Sequence, residues 1–383
     1  MLGSLSAFGP FVTDMYVPSL PSMEGYFSTS TSMVQLGLTS SMLGLALGQL
    51  FFGPLSDKYG RRKPLLASML LFAVASIAII FSPTIEIFII LRFVQGLGGS
   101  GGIVISRSVA TDSFQGKELL KMLAIIGAIN GIAPIAAPVI GGALVDAVGW
   151  RGIFTVLLGV GLIILACCCF FRESLAEENR KTESLAKTFG LFGKVCRNGE
   201  FMCYVLQQAT AQAILFGNIA SSPFIVQEHY GYSALVYSVA FAVNGLYVGI
   251  GAGASAKFRP VTSVKISCAG MLSLSVLIAA ILIFDWGFWA YEIVLNLLLF
   301  FMGLTFTAST TMALEKERAE AGTASAVLGA LCFISGGLVS PLVGLGNIMV
   351  STGVVFIAGA LLSTTSAILA QHFAKTHQQT ETA

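Results

Sequence analysis

The sequence predicts an all-α polytopic membrane protein with twelve transmembrane helices in two pseudo-symmetric six-helix bundles. Three observations lead there. Of 383 residues, 55% are hydrophobic and only 10% are charged. Soluble domains carry about 25% charged residues, so this chain lacks the polar side chains to cover a water-facing surface. The apolar residues also fall into continuous blocks, and a bilayer core of about 30 Å takes roughly 20 such residues in a helix. A transmembrane barrel would show short alternating segments instead. Finally, lysine and arginine collect in every second connection, the pattern of cytoplasmic loops.

Taken in order, the blocks are 1–20, 34–55, 64–82, 86–111, 121–145, 151–171, 200–223, 233–255, 263–284, 286–313, 321–346 and 348–373. Span one has no basic leader and no small-residue cleavage site, so it does not fit a signal peptide. It leaves almost no tail ahead of it, which leaves room for a start upstream of Met1. The basic connections hold Lys58, Arg61, Arg62 and Lys63, then Lys117 and Lys121. They continue with Arg172, Arg180, Lys181, Lys187, Lys194 and Arg197, and after span eight with Lys257, Arg259 and Lys265. Lys316, Arg318 and Lys375 complete the set, and the opposite connections hold only Arg151. Both termini and the long central loop are therefore expected in the cytoplasm, with the protein in the cell (inner) membrane. Seven cysteines in spans or on the reducing side do not form a disulfide framework.

Residues 172–199 are the only extended polar stretch, and they separate an N-terminal bundle (1–171) from a C-terminal bundle with its short tail (200–383). Within that linker Leu185, Phe189, Phe192 and Cys196 recur at helical spacing, which suggests a short interfacial helix. The bundles carry a faint repeat: Ala137-Pro138-Val139-Ile140-Gly141 returns as Ser340-Pro341-Leu342-Val343-Gly344. Parallel six-helix repeats are a transporter architecture.

At the junction of spans two and three, residues 53–66 read GPLSDKYGRRKPLL. Gly53 and Ser56 permit close helix approach. Asp57 can meet the positive end of a helix dipole, and Arg61 can make a bidentate pair with a carboxylate, for which Asp112 is placed. An ordinary basic loop accounts for Arg61, Arg62 and Lys63 but not for the Gly–Asp–Gly spacing. The stretch resembles motif A of the major facilitator superfamily. That resemblance implies a cytoplasmic latch built from Gly53, Asp57, Gly60, Arg61, Arg62 and Asp112, to which Arg107 is added.

Residues 90–102, ILRFVQGLGGSGG, match three motifs at once. Gly96 to Gly101 fits a dinucleotide fingerprint, which needs a strand before it and a soluble βαβ unit around it. Gly98 to Gly102 fits a hydrolase elbow, whose serine needs a general base, and no histidine or lysine lies mid-span. Inside an apolar span both enzyme readings fail, and no enzymatic activity, metal or organic cofactor is expected. The stretch is similar to motif B of the same superfamily. Span five, with Pro134, Pro138, Gly141 and Gly142, resembles the antiporter motif C, although Ala137 stands where the family usually has glycine. Span one contains Thr13-Asp14-Met15-Tyr16-Val17-Pro18 and is similar to the drug:proton antiporters with twelve spans, most closely the bicyclomycin and chloramphenicol branch. The second half lacks the motif A aspartate.

Ionisable residues inside a membrane are costly and mark function by default. Here they are Asp14, Arg92, Arg107 and Glu292. Asp14 lies about 10 Å and Arg92 about 9 Å from the outer ends of their spans, so the two are expected to pair, Asp14 as proton carrier and Arg92 as its counter-charge. Tyr16, Asn130, Gln207, Gln208, Gln212, Asn218, Asn244, Glu292 and Asn296 are expected to line a substrate cavity, since polar groups are costly in lipid. The resemblance implies a monomeric, proton-driven exporter of small amphipathic compounds by alternating access, with no nucleic-acid partner. A carrier of an amino acid, sugar or nucleoside is one alternative, and a membrane receptor without transport is another.

Overall fold

The structure is a computed structural model that describes residues 2–180, 185–317 and 321–381. Lys181 and Arg318 lie outside them. Among the described residues there is no strand, and the helices are α1 (Leu2–Asp14), α2 (Leu20–Phe27), α3 (Thr31–Tyr59), α4 (Arg62–Ile80), α5 (Ile85–Ser113) and α6 (Gly116–Cys169). They continue with α7 (Leu185–Val195), α8 (Gly199–Phe224), α9 (Ala234–Ser255), α10 (Pro260–Phe284), α11 (Phe288–Lys316), α12 (Ala321–Val339) and α13 (Ile348–Glu381).

Ten of these are long and apolar enough to cross a membrane, and two local breaks account for the difference from twelve crossings. The first crossing is divided. Pro18 has no N–H to give to the carbonyl of Asp14, so α1 stops at Asp14 and a 3-10 turn over Val17–Ser19 leads into α2. This crossing therefore runs to Phe27 rather than ending near residue 20, and Asp14 sits at its interruption, farther than the expected distance of about 10 Å from that end. The second break is in α6, 54 residues long, whose Gly149 has φ 63° and ψ −178°, a conformation open to glycine, and it separates two crossings.

Caps fix several starts. Ser30, Thr84 and Asn198 each accept from an amide three residues on, at the starts of α3, α5 and α8. The glycines of residues 90–102 serve packing. A Cβ on Gly96 would collide with the backbone of Ser41 in α3, and one on Gly98 would meet Phe72 N at 2.5 Å in α4. Gly44 and Gly48 of α3 face α5 in the same way. Small residues thus bring three helices to backbone contact.

The described contacts divide the chain into two compact units, Met1–Thr188 with Tyr232–Ala242, and Phe189–Gly231 with Val243–Ala383. The first has a core around Phe8, Phe72 and Ile105, the second around Met271, Leu298 and Phe356. Large apolar side chains also face outward, Phe170 at 87%, Phe81 at 76% and Phe284 at 70% exposure. Water would penalise such a surface and lipid does not. The Pro-containing repeat differs between its copies: Ala137–Gly141 is α-helical, whereas Ser340–Gly344 forms a 3-10 turn shortly before Gly346 ends the crossing.

Candidate functional site

Arg92 is the largest fully buried side chain of the first unit, at 0% exposure. Its guanidinium donates to the Val12 carbonyl at 2.9 Å and to Gln95 Oε1 at 2.5 Å. Gln95 Nε2 in turn donates to Ser76 Oγ at 2.8 Å on α4. The guanidinium carbon lies 4.3 Å from the Tyr16 ring centroid and 5.3 Å from that of Phe154, distances at which a cation is attracted to the ring faces.

Asp14 is also buried, at 5% exposure, and its Oδ1 has no hydrogen-bond partner. The expected Asp14–Arg92 ion pair is absent among the described residues, although the two charges still act on each other. The break at Asp14 explains this. The last carbonyls of α1 have no helical donor and carry the negative end of the dipole, and Val12 offers Arg92 such an acceptor. Arg92 thus caps the broken helix, and Asp14 is left with an unengaged oxygen. Tyr16 is buried beneath the guanidinium.

At the junction of α3 and α4, Arg61 donates from Nε to Asp112 Oδ2 at 2.8 Å and from its second terminal nitrogen to Oδ1 at 3.4 Å. Its other nitrogen reaches Asp57 at 2.5 Å and Ser56 Oγ at 2.9 Å. Arg62 donates to the Cys169 carbonyl at 2.8 Å, at the end of α6. Two expectations are corrected. Arg107 is exposed and has no ion pair with Asp57 or Asp112. It precedes Asp112 by five residues, about 140° around the helix, and so points elsewhere. A Cβ on Gly53 would make only an ordinary contact, 3.5 Å from Val104, so close approach does not require a glycine there.

A residue that the sequence did not single out completes this cluster. Glu173, just past α6, accepts from the backbone amides of Arg61 at 2.8 Å and Arg62 at 3.1 Å, and so caps α4 from more than a hundred residues away. It also accepts from Ser174 and Leu175. Burial alone would raise its carboxyl, but these amides and Arg180 outweigh it and hold the group below the usual carboxylate range. Gly60 has φ 86°, a conformation that favours glycine, and a Cβ on it would stand 2.5 Å from Glu173 Oε2 and push that carboxylate from its place. Nothing in the sequence sets Glu173 apart from Glu177, Glu178 and Glu183 of the same linker.

In α6 the helix runs unbroken through Pro134 and Pro138. Its glycines are close-packed: a Cβ on Gly141 would collide with the Met15 carbonyl, and one on Gly142 with Ser238 of the same unit. The side chain of Asn130 lies outside the described residues.

The remaining expected cavity residues belong to the second unit. Gln208 Oε1 accepts from Thr310 at 2.6 Å, and Gln212 is half-buried. Gln207 donates to Cys268 Sγ at 3.7 Å, and Asn218 accepts from Tyr291 at 3.1 Å. Asn296 donates to the carbonyl and to Oε1 of Glu292, at 2.9 Å and 3.2 Å. Gln207, Asn218, Asn244 and Asn296 each keep a buried polar atom without a partner. Where α8 begins and α11 ends, Lys316 pairs with Glu200 at 2.8 Å and Asn198 donates to Glu317 at 2.7 Å.

Residues 2–341 match the model of the Major Facilitator Superfamily. The chain is 36% identical over 355 residues to an uncharacterized MFS-type transporter, YdgK, of Bacillus subtilis, covering 91% of this chain and 88% of the relative. It is 29% identical to the bicyclomycin resistance protein homolog of Haemophilus influenzae, covering 97% and 94%. Among solved structures, the xylose transporter XylE from E. coli superposes with a TM-score of 0.74 at 13% identity, over 97% of this chain and 96% of that one, a likeness of fold. The chain belongs to the Major Facilitator Superfamily.

Proposed function

We propose that this transporter exports small amphipathic compounds in exchange for protons, with Asp14 as the proton carrier. One observation carries the reading: a buried carboxyl at the break in span one has an unengaged oxygen, while both terminal nitrogens of the nearby arginine are held by other partners. A carboxyl without an ion pair is free to gain and lose a proton as the site fills and empties, whereas one locked to arginine resists protonation. The name of the Haemophilus relative supports a drug substrate, and the resemblance of span five to motif C supports antiport.

On this reading the chain acts as a monomer in the inner membrane, with both termini cytoplasmic. The proton gradient is its energy source, and no enzymatic step or cofactor is involved. The Arg61, Asp112 and Glu173 cluster holds the cytoplasmic ends of α3 to α6 in place while the crossings above it move. On the same reading the polar linker, 172–199, joins the two six-helix bundles.

The test is uptake of chloramphenicol and of a sugar into inverted vesicles with an imposed pH gradient. Gradient-dependent accumulation of chloramphenicol is expected. Accumulation of the sugar alone would replace this reading with a metabolite carrier, and movement of neither would remove the exporter assignment.

A further inference from the structure

The second unit contains a buried acidic group that proton coupling through Asp14 does not use. Glu292 is the fifth residue of α11, about 6 Å from its start, and is 7% exposed. Its polar partner is Asn296 Nδ2 at 3.2 Å, and no cation lies within ion-pair distance among the described residues. An acidic side chain so placed is costly unless a positive group or a proton meets it.

Helix register places further acceptors beside it. A Cβ on Gly251 of α9 would collide with the Phe300 carbonyl, one on Gly303 of α11 would meet Ala252 N at 2.8 Å, and Thr307 donates to the Ala252 carbonyl at 3.4 Å. Both helices are even-numbered crossings and so run in the same direction, and the contacts of Gly251 with Phe300 and of Gly303 with Val248 and Ala252 set their offset at 49 to 55 residues. Extending each contact stripe by one turn toward the N-terminus brings Asn244 on α9 level with Asn296 on α11, with Glu292 one turn further along the same stripe. Asn244 Oδ1 and Asn296 Oδ1 are both buried and both lack a donor. Two amide oxygens without donors thus join, on facing stripes, a carboxylate whose one donor is a neutral amide. The complementary ligand is a positively charged nitrogen, above all one carrying N–H groups.

We propose that Glu292, Asn296 and Asn244 form a recognition point for the cationic nitrogen of amphipathic substrates, within the second unit. This rests on the exporter reading only for the identity of its ligand as a transported compound. The experiment is equilibrium binding of ethidium, a permanent cation with two aryl amines, to the purified full chain in nanodiscs of zwitterionic lipid. E292Q keeps the shape and hydrogen-bonding capacity but loses the charge, and N244L removes one acceptor. The expected result is a Kd raised at least tenfold by E292Q and about threefold by N244L, with both variants eluting as folded protein. Absence of saturable binding to the wild type, or an unchanged Kd in the two variants, would overturn the site. Should E292Q fail to fold, the N244L result decides alone. Proton-driven ethidium uptake into inverted vesicles judges the exporter reading separately: binding that depends on Glu292 without uptake would keep this site and sink that reading.

Discussion

The first unit buries a cation, Arg92, and the second buries an acid, Glu292, and the two are housed in opposite ways. Arg92 is held by a helix-end carbonyl, a glutamine anchored on a neighbouring helix and two aromatic faces. Glu292 has one amide of its own helix. The lesson is that a buried charge is informative through its unfilled partners rather than through its presence. Arg92 is committed to architecture through both terminal nitrogens, with only its Nε unpartnered, whereas neither acid, Asp14 in one unit or Glu292 in the other, meets a cation in an ion pair among the described residues.

The sharpest way to break this contrast is Arg92→Ala. Two charge-assisted hydrogen bonds and two ring contacts are lost, so destabilisation of about 3 kcal/mol or more is expected, read as a lower unfolding temperature and lower yield in membranes. Arg92→Lys keeps the charge without the fork and should fall between. A wild-type unfolding temperature in Arg92→Ala would contradict the architectural role. Gly96→Val comes next. The new side chain meets the Ser41 backbone, which cannot turn aside, and a loss of about 1–3 kcal/mol is expected.

Glu173→Gln removes a capping charge and should cost about 1 kcal/mol near neutral pH. Because the folded carboxyl lies below its ordinary value, its stabilisation is complete above the unfolded value of about 4.3 and is lost as pH falls through the lower folded one. The gap in melting temperature between wild type and variant should therefore be steady from pH 5 to 8 and close at lower pH. A gap that widens on acidification would refute the assignment. Ser100→Ala is expected to change stability by less than about 0.5 kcal/mol, and transport little, since that hydroxyl bonds only its own helix, at Leu97 O.

The crossings were legible because lipid imposes length and apolarity on each helix, and the Gly-rich run of span four was legible as packing once the enzyme readings failed. Three features were not. The stop at Asp14 depends on Pro18 four residues on, a signal present in the sequence but concealed inside a continuous apolar block. The pairing of Arg92 with Asp14 was inferred from depth, and depth says nothing about which acceptor a guanidinium meets first. Glu173 reaches α4 through tertiary placement, and no spacing rule links residues 61 and 173. Arg107 shows the converse error: its place near the expected cytoplasmic end of span four suggested shared work with Asp57 and Asp112, and helical rotation separates it from Asp112.

The central claim is that Asp14 carries the proton while Arg92 carries structure. It is tested most directly by substrate-induced proton release from purified protein, wild type beside Asp14→Asn and Arg92→Lys. Addition of a transported compound such as chloramphenicol to the wild type should release protons, and Asp14→Asn should release none while still binding the compound and unfolding at the wild-type temperature. Arg92→Lys, where it folds, should still release them. Undiminished proton release from Asp14→Asn would place the carrier elsewhere and contradict the account.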